Sequence, residues 1–484
     1  MKQQAFNPYL PSYEYVPDVE PRVFGDRVYV YGSHDRSDGQ DFCLNDYVCW
    51  SAPVDDLGNW KYEGVIYRRD QDPLNDNLRQ YLYAPDLVQG PDGRYYLFYA
   101  LNLMTVISVA VCDTPCGKFE FLGHVKKADG TVYGTQAGDV NNFDPGVLVD
   151  DDGSVYLYVG FSPEKGFMRK MMEMRKRNLD GGFVIELEQD MLTMKSEPKL
   201  IAPGPLMAEP GSGFDKHPFF EASSMRKVNG KYYFIYSSTL SHELCYATSD
   251  SPTGPLVFGG TVVSIGDVGL DGRTIESACN YTGNTHGSIL EINGQWYVFY
   301  HRQTNQRKCC RQGCAEKIEI GSDGSIAQAE VTSCGLNGGP LVGKGTYEAR
   351  IACNLYSREG TVPYAGNKIK DKKKIHPYFT QSGTDREENG DQYIANLADG
   401  ATAGYKYFDI RDAAKISVTV RGAGGGVIQV RTEETGEAVT EIAVEPSADW
   451  RTFESAFSVK PGVYPLYLTF RGKGAVDLKE FTLK

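Results

Sequence analysis

The sequence predicts an all-β protein, in which a five-bladed β-propeller is followed by a β-sandwich of the jelly-roll type. A short motif recurs five times in the first two thirds of the chain. Helical periodicity is scarce, and evenly spaced strand patterns follow the last copy of the motif. Because 484 residues exceed what one hydrophobic core supports, two or three domains are also expected from size alone.

The recurring motif is a tight turn followed by an aromatic and aliphatic strand. In four copies Asp-Gly or Asn-Gly comes directly before the strand, and the first copy has Gly-Asp. Successive copies lie 60 to 77 residues apart, which suits a four-stranded antiparallel blade with long loops. The central residues of the five copies are Tyr29, Tyr96, Tyr156, Tyr233 and Tyr297.

The motif ends near residue 325, so we predict a propeller over 1–325 and a second domain over 335–484. Residues 165–177 are the one helix candidate, 334–340 have the composition of a linker, and 368–374 form a basic segment expected to be an exposed loop. Short strands without an intervening helix predict the sandwich. They are expected at 404–410, 415–421, 426–431, 440–444, 451–457, 463–470 and 475–483.

Charge and composition exclude several partners. The net charge is −13, whereas nucleic acid and anionic membrane surfaces need a basic face to bind to. The charge therefore argues against both kinds of partner. The first residues contain no apolar stretch of signal-peptide length, so we expect a cytoplasmic protein, or a secreted one if a signal has been removed. The 11 cysteines are expected to be mostly reduced.

Polar residues recur at equivalent positions of the repeat. They stand 10 to 12 positions before each central tyrosine, on the strand that lies innermost in a propeller. Crowded carboxyl groups raise the cost of ionising one another, so fold stability does not favour such a cluster. Glycosyl transfer needs two separated carboxyl groups, and a third can hold the pKa of the acid up. The five residues are Asp18, Asp86, Asp144, Glu221 and His286.

Three of these segments resemble the carboxylate motifs of glycoside hydrolase family 43, over about residues 7 to 320. Asp18 stands seven residues before Gly25, Asp144 is followed by Pro and later by Asp-Asp-Gly, and Glu221 is followed by Ala and later by Asn-Gly. The resemblance implies an inverting mechanism. In it Asp18 is the base, Asp144 tunes the pKa of the acid and orients it, and Glu221 is the acid.

The chain departs from the family pattern in two places. The usual Asp-Pro of the first motif is here Asp-Val-Glu-Pro, so Glu20 is an alternative base or a substrate contact. Ser223 stands where the family has proline.

The resemblance also implies contacts around the reacting sugar. Tyr83 and Asp86 are expected at the sugar subsite. Arg311 is expected to reach the substrate, with a surface ion pair as the alternative. His286 is expected to contact a central calcium ion or a water cluster, while the chemistry itself requires no cofactor.

The second domain resembles carbohydrate-binding module family 6, through the segments around Tyr405, Trp450 and Leu466. Its role stays open between binding glycan, binding calcium and packing on the propeller. For the whole chain, the resemblance implies exo-acting release of terminal α-L-arabinofuranosyl residues from plant arabinoxylan or arabinan fragments. The alternatives are a β-D-xylosidase or dual enzyme, and then an exo-galactanase or a non-catalytic glycan-binding propeller.

Overall fold

The structure is a computed structural model that describes residues 3–361, 375–383, 385–386 and 390–484. The predicted basic loop at 368–374 lies outside the described residues. The all-β prediction is confirmed, since 46% of the chain is strand and 5% is helix. Within the described ranges, no helix is long and apolar enough to cross a membrane.

Four antiparallel sheets of four strands form the first four blades, each with its strands in chain order. The first two are β1 (Glu20–Phe24), β2 (Arg27–Tyr31), β3 (Tyr47–Pro53) and β4 (Lys61–Tyr67), then β5 (Asp86–Gln89), β6 (Tyr95–Ala100), β7 (Ile107–Cys112) and β8 (Glu120–His124). The next two are β9 (Gly146–Val149), β10 (Val155–Val159), β11 (Gly181–Leu187) and β12 (Lys199–Pro203), then β13 (Phe219–Val228), β14 (Lys231–Ser238), β15 (Glu243–Ser249) and β16 (Val257–Ser264).

The fifth blade has three strands in the part of the chain that the structure describes. They are β17 (Ile289–Ile292), β18 (Gln295–Gln303) and β19 (Arg311–Ile318). The N-terminal segment closes the ring against this blade. The amide side chain of Asn7 donates to the carbonyl of Ala315 at 2.8 Å and accepts from the Ala315 N–H at 2.9 Å.

The repeated motif is the hairpin between the first two strands of each blade. Its turn glycines have φ between 62° and 84°, a left-handed backbone that glycine adopts without steric cost. The central tyrosine lies on the second strand of each blade, and it is buried in four copies and partly buried in the third, at Tyr156. The motif therefore supplies both the turn and the packing between neighbouring blades.

Helices are few. The helix α1 (Phe167–Met174) falls inside the segment predicted to be helical and connects β10 with β11. Short 3-10 helices occupy Arg69–Gln71, Pro73–Asn75, Leu270–Gly272, Gly335–Asn337 and Ala349–Ile351.

The C-terminal domain is a sandwich of two six-stranded sheets around one apolar core. One sheet contains β20 (Leu341–Val342), β22 (Asn354–Tyr356), β25 (Thr402–Ile410), β27 (Gly425–Arg431), β28 (Thr440–Val444) and β30 (Gly462–Lys473). The other contains β21 (Gly345–Glu348), β23 (Tyr378–Gln381), β24 (Gln392–Ala398), β26 (Lys415–Gly422), β29 (Ser447–Ala456) and β31 (Ala475–Leu483).

The predicted linker is not a free connection. Cys334 and Leu336 are buried, and each belongs to the apolar core of one domain. The Lys406 ammonium of the sandwich also forms ion pairs with Asp267 at 3.2 Å and Glu330 at 2.8 Å. Apolar burial and these ion pairs therefore join the two domains.

Candidate active site

A cavity of about 340 Å³ opens where the innermost strands of the propeller begin. This volume is near the lower end of the roughly 300–1,000 Å³ of ligand pockets, which fits a short ligand segment better than a long chain. Six of the eight residues predicted for the site line it, and two do not. The six are Asp18, Tyr83, Asp144, Glu221, His286 and Arg311.

The backbone is left-handed at two of the predicted catalytic residues and directly after the third. Asp18 has φ 55°, Asp144 has φ 45°, and Ala222, directly after Glu221, has φ 67°. Non-glycine residues adopt such values rarely, and they concentrate at functional sites where the surroundings hold them in place. This rare backbone conformation therefore occurs beside the same cavity in three different blades.

Asp18 is held as an anion. The Arg311 guanidinium contacts its carboxylate, with Nη1 2.6 Å from Oδ1. Burial opposes ionisation, but the Arg311 charge holds the pKa of Asp18 well below its ordinary value. Arg311 is itself buried, so the alternative of a surface ion pair is wrong. A carboxylate kept ionised in a cavity has the protonation state of a general base.

The surroundings of Glu221 favour the opposite, protonated form. Its burial and the neighbouring charge of Asp144 raise the pKa of Glu221 well above its ordinary value. Burial also raises the pKa of Asp144, whose Oδ2 lies 3.4 Å from Nδ1 of His286. A protonated carboxyl group in the same cavity as an ionised one is the pair that acid–base glycosyl transfer requires.

Glu20 and Asp86 lie outside the cavity lining, which corrects their expected place at the sugar. Each is the first residue of an innermost strand, whereas Asp18 and Asp144 come two residues before theirs. Two residues of a strand span about 7 Å, so Glu20 and Asp86 lie deeper along the propeller axis than the cavity. Asp86 there accepts from Arg22 at 2.7 Å.

Glu20 is fully buried next to His286 and forms an ion pair with Arg226. Its Oε2 contacts the guanidinium of Arg226 and accepts from the Ser224 hydroxyl at 3.1 Å. Although burial opposes ionisation, Arg226 lowers the pKa of Glu20. Its remaining oxygen, Oε1, is 3.9 Å from Nε2 of His286. This position is away from the cavity and disfavours Glu20 as the base.

The axial residues do not fit the expected calcium ion. Calcium takes six to eight oxygen ligands. Among the described residues beside His286, one fully buried carboxylate oxygen, Glu20 Oε1, has no hydrogen-bond partner. The charges of Glu20 and Asp86 are already balanced by Arg226 and Arg22. The neighbouring carboxyl groups of Asp144 and Glu20 raise the pKa of His286 against the effect of burial, which favours a positive charge on the imidazole itself.

One wall of the cavity is a chain of aromatic rings. Consecutive ring centroids lie 5.2 to 6.3 Å apart. Such rings offer flat apolar faces of the kind that pack on the C–H faces of sugars. The chain runs through Phe42, Tyr83, Phe143, Phe161 and Phe220. Met168 and Met172 of α1 extend this apolar lining.

Two residues that hold the Asp18–Arg311 pair were not predicted from the sequence. His301 directly follows the last motif, and its Nδ1 is 3.4 Å from the Asp18 backbone N–H and 3.2 Å from Oδ1. Its Nε2 donates to the carbonyl of Asn284 at 2.7 Å, and burial lowers the pKa of His301, so the ring is neutral. Asp35 binds Arg311 from the other side at 2.8 Å. The position of His301 after the motif was the one available signal.

The propeller with two carboxyl groups of opposed protonation in one cavity defines a glycosidase. Residues 12–326 match the model of glycosyl hydrolases family 43, and residues 377–484 match that of carbohydrate binding module family 6. The chain belongs to glycoside hydrolase family 43, as its sequence motifs predicted.

Relatives of known activity cover the chain well. It is 51% identical to a xylosidase/arabinosidase of Thermoclostridium stercorarium over 100% of this chain and 99% of the relative. It is 27% identical to an arabinoxylan arabinofuranohydrolase of Paenibacillus polymyxa over 94% of this chain and 70% of the relative. A solved family 43 β-xylosidase/α-arabinofuranosidase from a compost metagenome, in complex with xylotriose and calcium-free, aligns with TM-score 0.50 and 26% identity over 66% of this chain and 95% of that one.

Proposed function

We propose that the protein is an exo-acting, inverting glycosidase that releases terminal α-L-arabinofuranosyl residues from arabinoxylan or arabinan fragments of the plant cell wall. The observation that carries this proposal is the placement of Asp18, Asp144 and Glu221 in one small cavity, with the Arg311 guanidinium 2.6 Å from Asp18. The Arg311 charge lowers the pKa of Asp18, whereas burial and the neighbouring Asp144 raise that of Glu221. The small cavity favours removal of a single terminal sugar over cleavage within a chain.

In this mechanism Glu221 protonates the departing glycosidic oxygen while Asp18 takes a proton from water. The water attacks the anomeric carbon from the face opposite the leaving group, so the configuration inverts. Asp144 keeps Glu221 protonated by charge repulsion. The neutral His301 and the guanidinium of Arg311 hold Asp18 in place.

A β-D-xylosidase, or a dual enzyme, is the second candidate. The relative that is similar over the whole chain is named for both activities, and the similar solved structure is described as having both. The cavity offers a wall of aromatic rings to either pentose. The exo-galactanase and the non-catalytic glycan-binding propeller receive less support. The relative at 51% identity over the whole chain is named for pentosidase activities, and the cavity holds the predicted catalytic residues Asp18, Asp144 and Glu221.

A panel of nitrophenyl glycosides tests the proposal. We expect hydrolysis of the α-L-arabinofuranoside, with the β-D-xyloside as the second substrate and no hydrolysis of the β-D-galactoside. An enzyme that hydrolyses the xyloside alone would move the assignment to the second candidate. A protein that hydrolyses none of them, but binds arabinoxylan oligosaccharides, would support the glycan-binding alternative.

We further propose that catalysis is independent of calcium. The arginine pairs in the axial channel and the imidazolium of His286 supply the positive charge there. The similar solved structure is described as a calcium-free form with bound xylotriose, so ligand binding in that protein does not need the ion.

A further inference from the structure

The cavity wall next to Arg311 is formed by a long connection between β2 and β3. This connection, residues 32–46, we call the β2–β3 loop. Asp41, Phe42 and Cys43 at its far end line the cavity. The loop carries no regular secondary structure, so its shape depends on the groups that bind it from outside.

Within the loop, Asp35 fixes the orientation of Arg311. Its Oδ2 accepts from Arg311 Nε at 2.8 Å and its Oδ1 accepts from Nη2 at 3.0 Å. This two-point contact leaves Nη1 to reach Asp18. The same carboxylate also accepts the backbone N–H groups of Arg311 and Cys43, each at 3.0 Å. Asp35 therefore ties the guanidinium and the cavity wall into one unit.

The other side of the loop is bound by the C-terminal sandwich. The buried carboxylate of Asp385 accepts from the Ser37 N–H at 3.4 Å and from the Asn45 side chain at 3.2 Å. The same Asn45 amide donates to the backbone carbonyl of Asp35 at 3.0 Å. Asp385 thus contacts both ends of the loop and shares Asn45 with Asp35.

The sandwich also binds the loop that leads into Arg311. The Asn305 N–H, between β18 and β19, donates to the carbonyl of Phe379 at 2.8 Å. The Arg302 guanidinium lies 3.8 Å from the centre of the Phe379 ring. Both segments that meet at Arg311 are therefore supported by the second domain.

We propose that the C-terminal sandwich is a structural part of the active site: Asp385 is a positioning residue that holds the β2–β3 loop, and with it Asp35 and Arg311, against Asp18. This inference deepens the proposed function, because it names a role for the second domain in the same reaction. It adds a contribution of this domain that is separate from any binding of glycan by its own surface.

The test compares two full-length variants that each lose one carboxylate at the domain interface. Asp385→Ala removes the contact with the loop. Glu330→Ala is the matched control, because Glu330 binds Lys406 and Tyr407 across the interface, each at 2.8 Å, in contacts that do not involve the loop. Hydrogen–deuterium exchange of residues 35–45, the pH profile of kcat and KM, and the melting temperature are measured for both.

For Asp385→Ala we expect faster exchange in the loop and a fall in kcat of roughly ten- to a hundredfold, the scale of a displaced catalytic group. The acidic limb of the pH profile moves to higher pH, because a displaced Arg311 no longer keeps the pKa of Asp18 low. Glu330→Ala lowers the melting temperature but leaves the loop exchange and the acidic limb unchanged. Among the described residues, the charged and titratable groups that face Asp18 are Arg311, His301, His286, Asp35, Cys43, Tyr47, Asp144 and Glu221.

Unchanged exchange of residues 35–45 in Asp385→Ala would overturn the proposal, whatever the substrate. Equal effects of the two variants on exchange and on the acidic limb would also overturn it, since the loss would then reflect domain docking in general. A wild-type protein that hydrolyses no pentoside contradicts the proposed function instead, and the exchange measurement still decides on the role of Asp385.

Discussion

Arg311 Nη1 lies 2.6 Å from Asp18 Oδ1, and this contact joins the first and fifth blades at the floor of the cavity. The pairing keeps Asp18 ionised inside a buried site. An ionised carboxylate here is the condition for general-base catalysis, so the pair sets the lowest pH at which the enzyme works.

Replacing Arg311 tests this relationship through pH. In Arg311→Lys the contact with Asp18 is lost, because a lysine side chain cannot bind Asp35 at two points and also reach Asp18. The pKa of Asp18 rises toward or above its unperturbed value, and the acidic limb of kcat/KM moves up by about 1 to 3 pH units. The measurement is the pH profile from pH 3 to 9, with the melting temperature as a control for folding.

Glu221 is tested by the choice of leaving group. Glu221→Ala removes the acid, so cleavage of natural oligosaccharides falls by roughly 10²- to 10⁴-fold. A dinitrophenyl glycoside leaves without protonation, and its hydrolysis falls far less. Steady-state rates on both substrates decide the matter, and an equal loss on both would contradict the assignment of Glu221 as the acid.

Asp18 and Glu20 are separated by the same pair of substrates. Asp18→Asn should lose roughly three orders of magnitude or more on both, because a better leaving group cannot replace a base. Glu20→Gln should retain most activity per folded molecule, although loss of the charge facing Arg226 lowers the melting temperature. The reverse outcome, an inactive Glu20→Gln and an active Asp18→Asn, would move the base to Glu20.

Chelation tests the axial site. We expect exhaustive EDTA treatment to leave both the rate and the melting temperature unchanged, because arginine and imidazolium charges occupy the channel. Added calcium should then have no effect. A loss of activity that calcium restores, and magnesium does not, would show that the axial donors bind the ion after all.

Much of the fold could be predicted because the repeat is local. The turn glycine and the tyrosine that follows it define a hairpin within ten residues, and counting back from it reaches Asp18, Asp144 and Glu221. The position of a side chain along the propeller axis could not be predicted in this way. A difference of two residues separates Asp18 at the cavity from Glu20 below it, and a repeat with variable loops does not resolve that difference.

The remaining features depend on partners far away in the chain. The short strand β20 pairs in parallel with β25, where Leu341 lies opposite Phe408, and no local pattern indicates a two-residue strand. Asp35 meets Arg311 across 276 positions of sequence, and Asp385 meets Ser37 across 348. Such contacts are fixed by the packing of the two domains and leave no periodic signal.

The stereochemistry of the first-formed product tests the central claim most directly. Proton NMR during the first minutes of hydrolysis of an arabinofuranoside, or of a xyloside if that is the better substrate, distinguishes the two anomers before they equilibrate. The arrangement of Asp18 as base and Glu221 as acid predicts the anomer opposite to that of the substrate. Release of a sugar with the substrate's own configuration would contradict it, because one of the two carboxylates would then have to act as a nucleophile.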